Sequence, residues 1–184
     1  MKYIKSYQIF EASASALTAE QIEWLDEYVN GSWKLNPSTG LVDVDGDFYC
    51  RGQGLTDFKG VKLRKVSKDF DCGYNQLTTL VGAPQSVGGN FYCENNQLTT
   101  LVGAPNTVGG FFGCANNPVS SGTLKALFDL MKRGNSYQKA LEEYWPEMED
   151  KDKMLMYKDH PSLTPEETRK YKALATYSNI KGYL

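Results

Sequence analysis

The chain has a single histidine, no cysteine beyond Cys114, no long apolar run and no excess of charge of either sign. Each scarcity excludes something. No apolar stretch reaches the roughly 18–20 residues of a membrane helix. The first segment, Met1 to Ala16, is interrupted by Lys2, Lys5, Ser6, Gln8 and Glu11, so it does not read as a secretory signal, and a cytosolic start is expected. Lys plus Arg number 20 against 22 Asp plus Glu, a net charge of -2. That balance gives no general attraction to phosphate backbones or acidic lipid, so neither nucleic acid nor membrane is expected as a partner. With 184 residues, 41% hydrophobic and 23% charged, the chain can bury one continuous core.

The cysteines are not scattered as a disulfide framework would be. Cys50, Cys72, Cys93 and Cys114 stand 22, 21 and 21 residues apart. Two residues before each is a phenylalanine (Phe48, Phe70, Phe91, Phe112), and six before each is a valine (Val44, Val66, Val87, Val108). Five residues after each stand Leu55, Leu77, Leu98 and Val119. Asn75–Pro84 and Asn96–Pro105 are the same ten residues, NQLTTLVGAP. Self-similarity at this period is the mark of a stacked repeat.

Within the unit, F-x-C alternates as a short strand with both side chains inward. Asn75, Asn96 and Asn117 follow at a turn, where a side-chain amide can pair with free backbone groups down the stack. A Gly-Ala-Pro return closes the coil, with Pro84 and Pro105 fixing its far side. These repeats, over residues 40 to 122, resemble short leucine-rich repeats, especially the cysteine-containing ones of large tailed bacteriophages and gut bacteria. The resemblance implies an α/β repeat fold: a leucine-rich-repeat-like solenoid of about four turns with imperfect ends. Gln53 replaces the asparagine in the first copy, and Val119 and Gly122 replace leucines in the last.

A repeat stack must have its open ends covered. Thr18 with Gln21 makes a capping box for a helix carrying Ile22, Leu25 and Val29 and ending at Asn30-Gly31, and Asn36 to Gly40 reads as a hairpin turn. Leu124, Leu127, Phe128 and Met131 have the spacing of an amphipathic helix immediately after the last copy. Further helices are expected around Tyr137–Tyr144, from Glu149 to Lys158, and after Thr164-Pro165. The expected organisation is a tail at 1–16, a helix and hairpin cap at 17–45, the solenoid at 46–122 and a helical subdomain at 123–184.

Cysteines one repeat apart lie along a line and do not converge as zinc ligands do, so buried free thiols are expected and no metal or other cofactor is implied. His160 precedes Pro161 in a loop and reads as a surface or capping residue. Asp43-Val44-Asp45-Gly46-Asp47 lacks the calcium-loop spacing to a glutamate and reads as strand alternation. No catalytic set emerges, and without a cysteine after Cys114 the ligase activity of some bacterial leucine-rich-repeat effectors does not carry over. The basic group Lys59, Lys62, Arg64, Lys65 and Lys68 reads as a solvated face.

Surface remains as the functional candidate. In a leucine-rich repeat the outward strand positions form the concave face, here Asp47, Tyr49 and Arg51, then Asp69 and Asp71 with Tyr74, then Asn90, Tyr92 and Glu94, then Phe111. Of these, Tyr49, Arg51, Asp69, Asp71, Tyr74, Tyr92, Glu94 and Phe111 are the candidate binding residues for a protein partner, because aromatics and arginine dominate interface energetics. The competing expectations are a structural component packed inside a virion and, third, an enzyme in the helical tail. MKYIKSYQIFEA also resembles the capsid-targeting peptides of large tailed phages, which are cut after a hydrophobic-x-Glu site; Ile9-Phe10-Glu11 followed by Ala12 fits. The resemblance implies a phage protein of the host cytoplasm or the packaged particle. If the chain is packaged, mass spectrometry of purified particles is expected to find its amino terminus at Ala12, and a chain starting at Met1 there would contradict cleavage.

Overall fold

A computed structural model describes residues 17–181, with side chains as far as residue 176. Thr18 caps helix α1 (Ala19–Tyr28): its hydroxyl accepts from the Gln21 amide while the Gln21 side chain accepts from the Thr18 amide. The helix stops at Tyr28, short of the Asn30-Gly31 end anticipated from sequence, because Val29 already belongs to strand β1 (Val29–Asn36). β1 pairs antiparallel with β2 (Leu41–Tyr49) through a turn in which the Asn36 side chain accepts from the amides of Ser38 and Thr39. Gly31 and Gly46 face each other in this hairpin; a Cβ on Gly31 would lie 2.1 Å from the Asp45 carbonyl oxygen. Glycine is required there by close approach and positive φ, which is why Asn30-Gly31 imitates a helix end in the sequence.

Strand β2 starts two parallel ladders. Its first half pairs with β3 (Leu63–Val66), followed by β5 (Ser86–Val87) and β7 (Thr107–Val108), with Val44, Val66, Val87 and Val108 in register. Its second half pairs with β4 (Phe70–Asp71), then β6 (Phe91–Tyr92) and β8 (Phe112–Gly113), aligning the four phenylalanines. The whole is a parallel-sheet β-solenoid of about three turns with flanking helices. Asp43, Asp45 and Asp47 alternate outward along β2 while Val42, Val44, Gly46 and Phe48 are buried.

Packing follows the register. Phe48, Phe70, Phe91 and Phe112 form one inward column with successive ring centroids 5.4, 5.2 and 5.6 Å apart. Trp24 of α1 covers one end at 5.1 Å from Phe48, and Phe128 of α2 (Ser121–Lys132) stacks on Phe112 at 3.9 Å at the other. Columns of Cys50, Cys72, Cys93 and Cys114 and of Leu55, Leu77, Leu98 and Val119 run beside it, all buried. Asn75 donates to the Cys50 and Cys72 carbonyls and accepts from Gln53 and Leu55; Asn96 and Asn117 repeat the arrangement one and two turns on. The last copy ends where Ser120 caps α2, so Gly122, at the position of a core leucine, lies in the helix.

The tail packs on the solenoid through polar bonds as well as its apolar face. It continues with α3 (Tyr137–Tyr144), a 3-10 turn (Trp145–Glu147), α4 (Asp150–Met156) and α5 (Pro165–Lys181). The buried Asp152 carboxylate accepts from the amide and hydroxyl of Ser120. Tyr137 bridges Thr100 of the third copy to Asp159. Among the described residues no helix is long and apolar enough to cross a membrane.

The central ring carries the most packing. Phe91→Ala is expected to cost about 3–5 kcal/mol in denaturant unfolding, the usual range for an emptied phenylalanine site. Phe111→Ala, which removes the exposed neighbour of the column, is expected to cost under about 1 kcal/mol.

Candidate functional site: the outward face of the sheet

Because side chains alternate along each strand, the outward positions stack into columns one repeat apart. Asp47, Asp69, Asn90 and Phe111 form one; Tyr49, Asp71, Tyr92 and Gly113 the next; Arg51, Gly73, Glu94 and Ala115 the third. All eight candidate binding residues sit on or beside this face, but they do different things there.

The first column is largely structural. The Asp47 carboxylate accepts from the Asp69 amide, Asp69 from the Asn90 amide, and the Asn90 side-chain oxygen from the Phe111 amide. Asp69 also accepts from the Asn90 side-chain amide. A polar ladder thus runs outside the sheet, parallel to the asparagine ladder inside it. Phe111, whose side chain has no polar atom, ends this ladder and is 60% exposed.

Four candidates converge into one cluster. Arg51 Nη1 lies 3.1 Å from Asp71 and 2.7 Å from Glu94, two repeats away. It crosses Gly73 to get there: a Cβ on Gly73 would stand 2.9 Å from Arg51 Nη1. The Tyr74 ring lies 4.2 Å from the guanidinium carbon and is 54% exposed. Tyr74 has φ of 56°, where the other copies have Gly52, Asn95 and Asn116. Glycine and asparagine adopt this left-handed conformation readily, whereas in tyrosine it is strained, so the ring is held over Arg51 at a conformational cost.

Tyr92 and Phe111 meet with ring centroids 6.2 Å apart beside a groove of about 430 Å³ that runs between β8 and the first turn of α2. Tyr49, 44% exposed, stands apart from that pair in the first copy. Sequence reasoning missed the groove's other components, Gly113, Ala115, Gly122 and Lys125. The signal for Gly113 was a small residue in an outward column otherwise holding Tyr49, Asp71 and Tyr92, while Ala115, Gly122 and Lys125 gave none.

The thiols are free and inward, as their spacing implies. Burial raises all four pKa values, that of Cys114 to about 11. Among the described residues no group of His, Cys, Asp and Glu is placed to hold a metal. In the basic group, Arg64 pairs with Asp43, whose pKa it lowers, and Lys59 pairs with Glu20. His160 lies against Trp145 in the tail, with burial lowering its pKa. The Glu11–Ala12 junction lies outside the described residues. Comparison with family models, with curated proteins and with solved structures finds no match.

The thiols carry a pH signature. A buried thiol with a raised folded-state pKa contributes fully below its unfolded value of about 8.5, and the contribution is lost as pH rises through the folded value. The melting temperature is therefore expected to fall as pH rises from about 8.5 towards 11. At pH 8 the native protein is expected to react slowly with a thiol reagent, with Cys114 modified first and all four thiols reacting quickly after denaturation. Fast modification of Cys72 or Cys93 in the folded state would contradict their burial.

Proposed function

We propose that the chain is a short leucine-rich-repeat-type module, of phage origin, that binds a protein partner through the outward face of its sheet and has a recognition role and not a catalytic one. The observation that carries this is Tyr74: a tyrosine in strained backbone, half exposed, stacked on Arg51. Nothing in the core needs a ring there, and strained residues concentrate at functional sites. Tyr49 and Phe111 add exposed aromatic surface, and Arg51 is already held in place by Asp71 and Glu94, so little freedom is lost when a partner docks. The phage resemblance of the repeats and amino terminus supports a partner in the host cytoplasm or the virion.

The test is partner capture by the intact chain and by the triple variant Tyr49→Ser, Tyr92→Ser, Phe111→Ser, with bound proteins compared by mass spectrometry. The variant is expected to lose the specific partner and to melt within a few degrees of wild type, because the three positions lie outside the core. Capture at wild-type affinity by this folded variant and by Tyr74→Asn, which suits the left-handed backbone and removes the ring, would sink the reading.

A further inference from the structure

Glu94 is used on one side only. Its Oε1 receives Arg51, which approaches from the first copy across Gly73. Its Oε2 is buried and has no hydrogen-bond partner among the described residues. A buried carboxylate oxygen left without a donor is costly, and such an atom in a native fold calls for a missing partner.

Oε2 faces the fourth copy, where a Cβ on Gly113 would stand 3.4 Å away. On the far side of Glu94 the same column again holds a small residue, Ala115, as Gly73 does on the near side. Among the described residues no strand lies beyond Ala115, since β8 ends the sheet. In each earlier copy the phenylalanine amide donates to the next: Phe48 to Asp69, Phe70 to Asn90 and Phe91 to Phe111. Phe112 has no following copy, so this edge has the pattern of an unextended ladder, alongside the groove walled by Tyr92, Phe111, Gly113 and the start of α2. The opposite end of the stack differs, since β1 pairs along β2 and closes it. Lys125, the nearest cation of the groove, is paired with Asp129 at 3.0 Å.

We propose that the groove between β8 and α2 receives an extended, arginine-bearing segment of the partner protein, whose guanidinium passes over Gly113 to Oε2 of Glu94. A strand added beside β8 stands two strand spacings, roughly 9–10 Å, from Glu94's own strand, the separation Arg51 already spans on the other side. Strand addition at an open edge supplies backbone bonds, and side-chain subsites supply selectivity. Tyr92 and Phe111 flank the path and suit the apolar stem and flat face of a guanidinium. This assignment rests on reading the outward face as the protein-binding surface.

The experiment titrates the full ¹⁵N-labelled chain with a short acetylated and amidated peptide of alternating threonine and serine around one central arginine, alongside its citrulline counterpart. Saturable shifts are expected at the amides of Gly113, Cys114, Ala115 and Gly122. Replacing arginine by citrulline, or Glu94→Gln in the protein, is expected to weaken binding about tenfold, the loss of one charge-assisted hydrogen bond. Glu94→Gln also loosens Arg51, so Arg51→Gln is the second variant: it leaves Glu94 unshared and is expected to tighten binding several-fold. Absence of shifts, or equal shifts with the citrulline peptide, overturns the proposal, as does binding that appears only in Lys125→Ala, which would mean Lys125 already serves Oε2. If the triple aromatic variant loses its partner while the peptide shifts are arginine-independent, the binding face stands and the groove assignment falls.

Discussion

The column of phenylalanine rings is the constraint from which the other features descend. Each ring has to meet the next at the spacing of adjacent strands, and it does so at 5.2 to 5.6 Å with nearly parallel planes between Phe70, Phe91 and Phe112. Holding that spacing requires each coil to return after the same number of residues, hence the near-constant separation of the cysteines. It also leaves one ring face bare at each end. Trp24 and Phe128 lie on those faces, and the helices that bring them are therefore part of the repeat's own logic. The Asp152–Ser120 bonds then tie the tail to the helix that supplies Phe128.

The outward face answers to two demands that a sequence does not separate. Asp69 and Asp71 are neighbours of one residue type, yet Asp69 is consumed in a ladder with backbone amides while Asp71 anchors Arg51. Only the geometry sorts them. The aromatic residues of the face, Tyr49, Tyr74, Tyr92 and Phe111, satisfy no backbone amide with their side chains and present rings outward.

The solenoid, its inward columns, the asparagine ladder and the capping helices were legible because each is written in a period or a local capping pattern. Thr18 with Gln21 and Thr164 with Glu167 form the reciprocal bonds their spacing suggests. The end of α1 was not legible, since a glycine required by a cross-strand contact looks the same as one ending a helix. The extent of the strand was half legible: F-x-C announced one station, while the valine four residues earlier, an even step, belongs to the same sheet. The Arg51–Glu94 pair was invisible, because it joins residues 43 apart whose link is a glycine between them. The groove was hidden for the same reason, being made by small side chains.

Asn75–Pro84 and Asn96–Pro105 are identical, so gaining or losing the unit from one to the next leaves the repeat in phase. The core would tolerate either change, because every column simply gains or loses one member and both caps still meet the same kind of ring. The face would change. Glu94 lies between the two tracts, so losing that unit leaves Arg51 with Ala115 two copies on, while gaining it keeps the first Glu94 and sets a second carboxylate one copy further along. Copy number, neutral for folding, would then act as a switch of recognition, and lineages that differ by a single unit would share a scaffold while presenting different charges to what they bind.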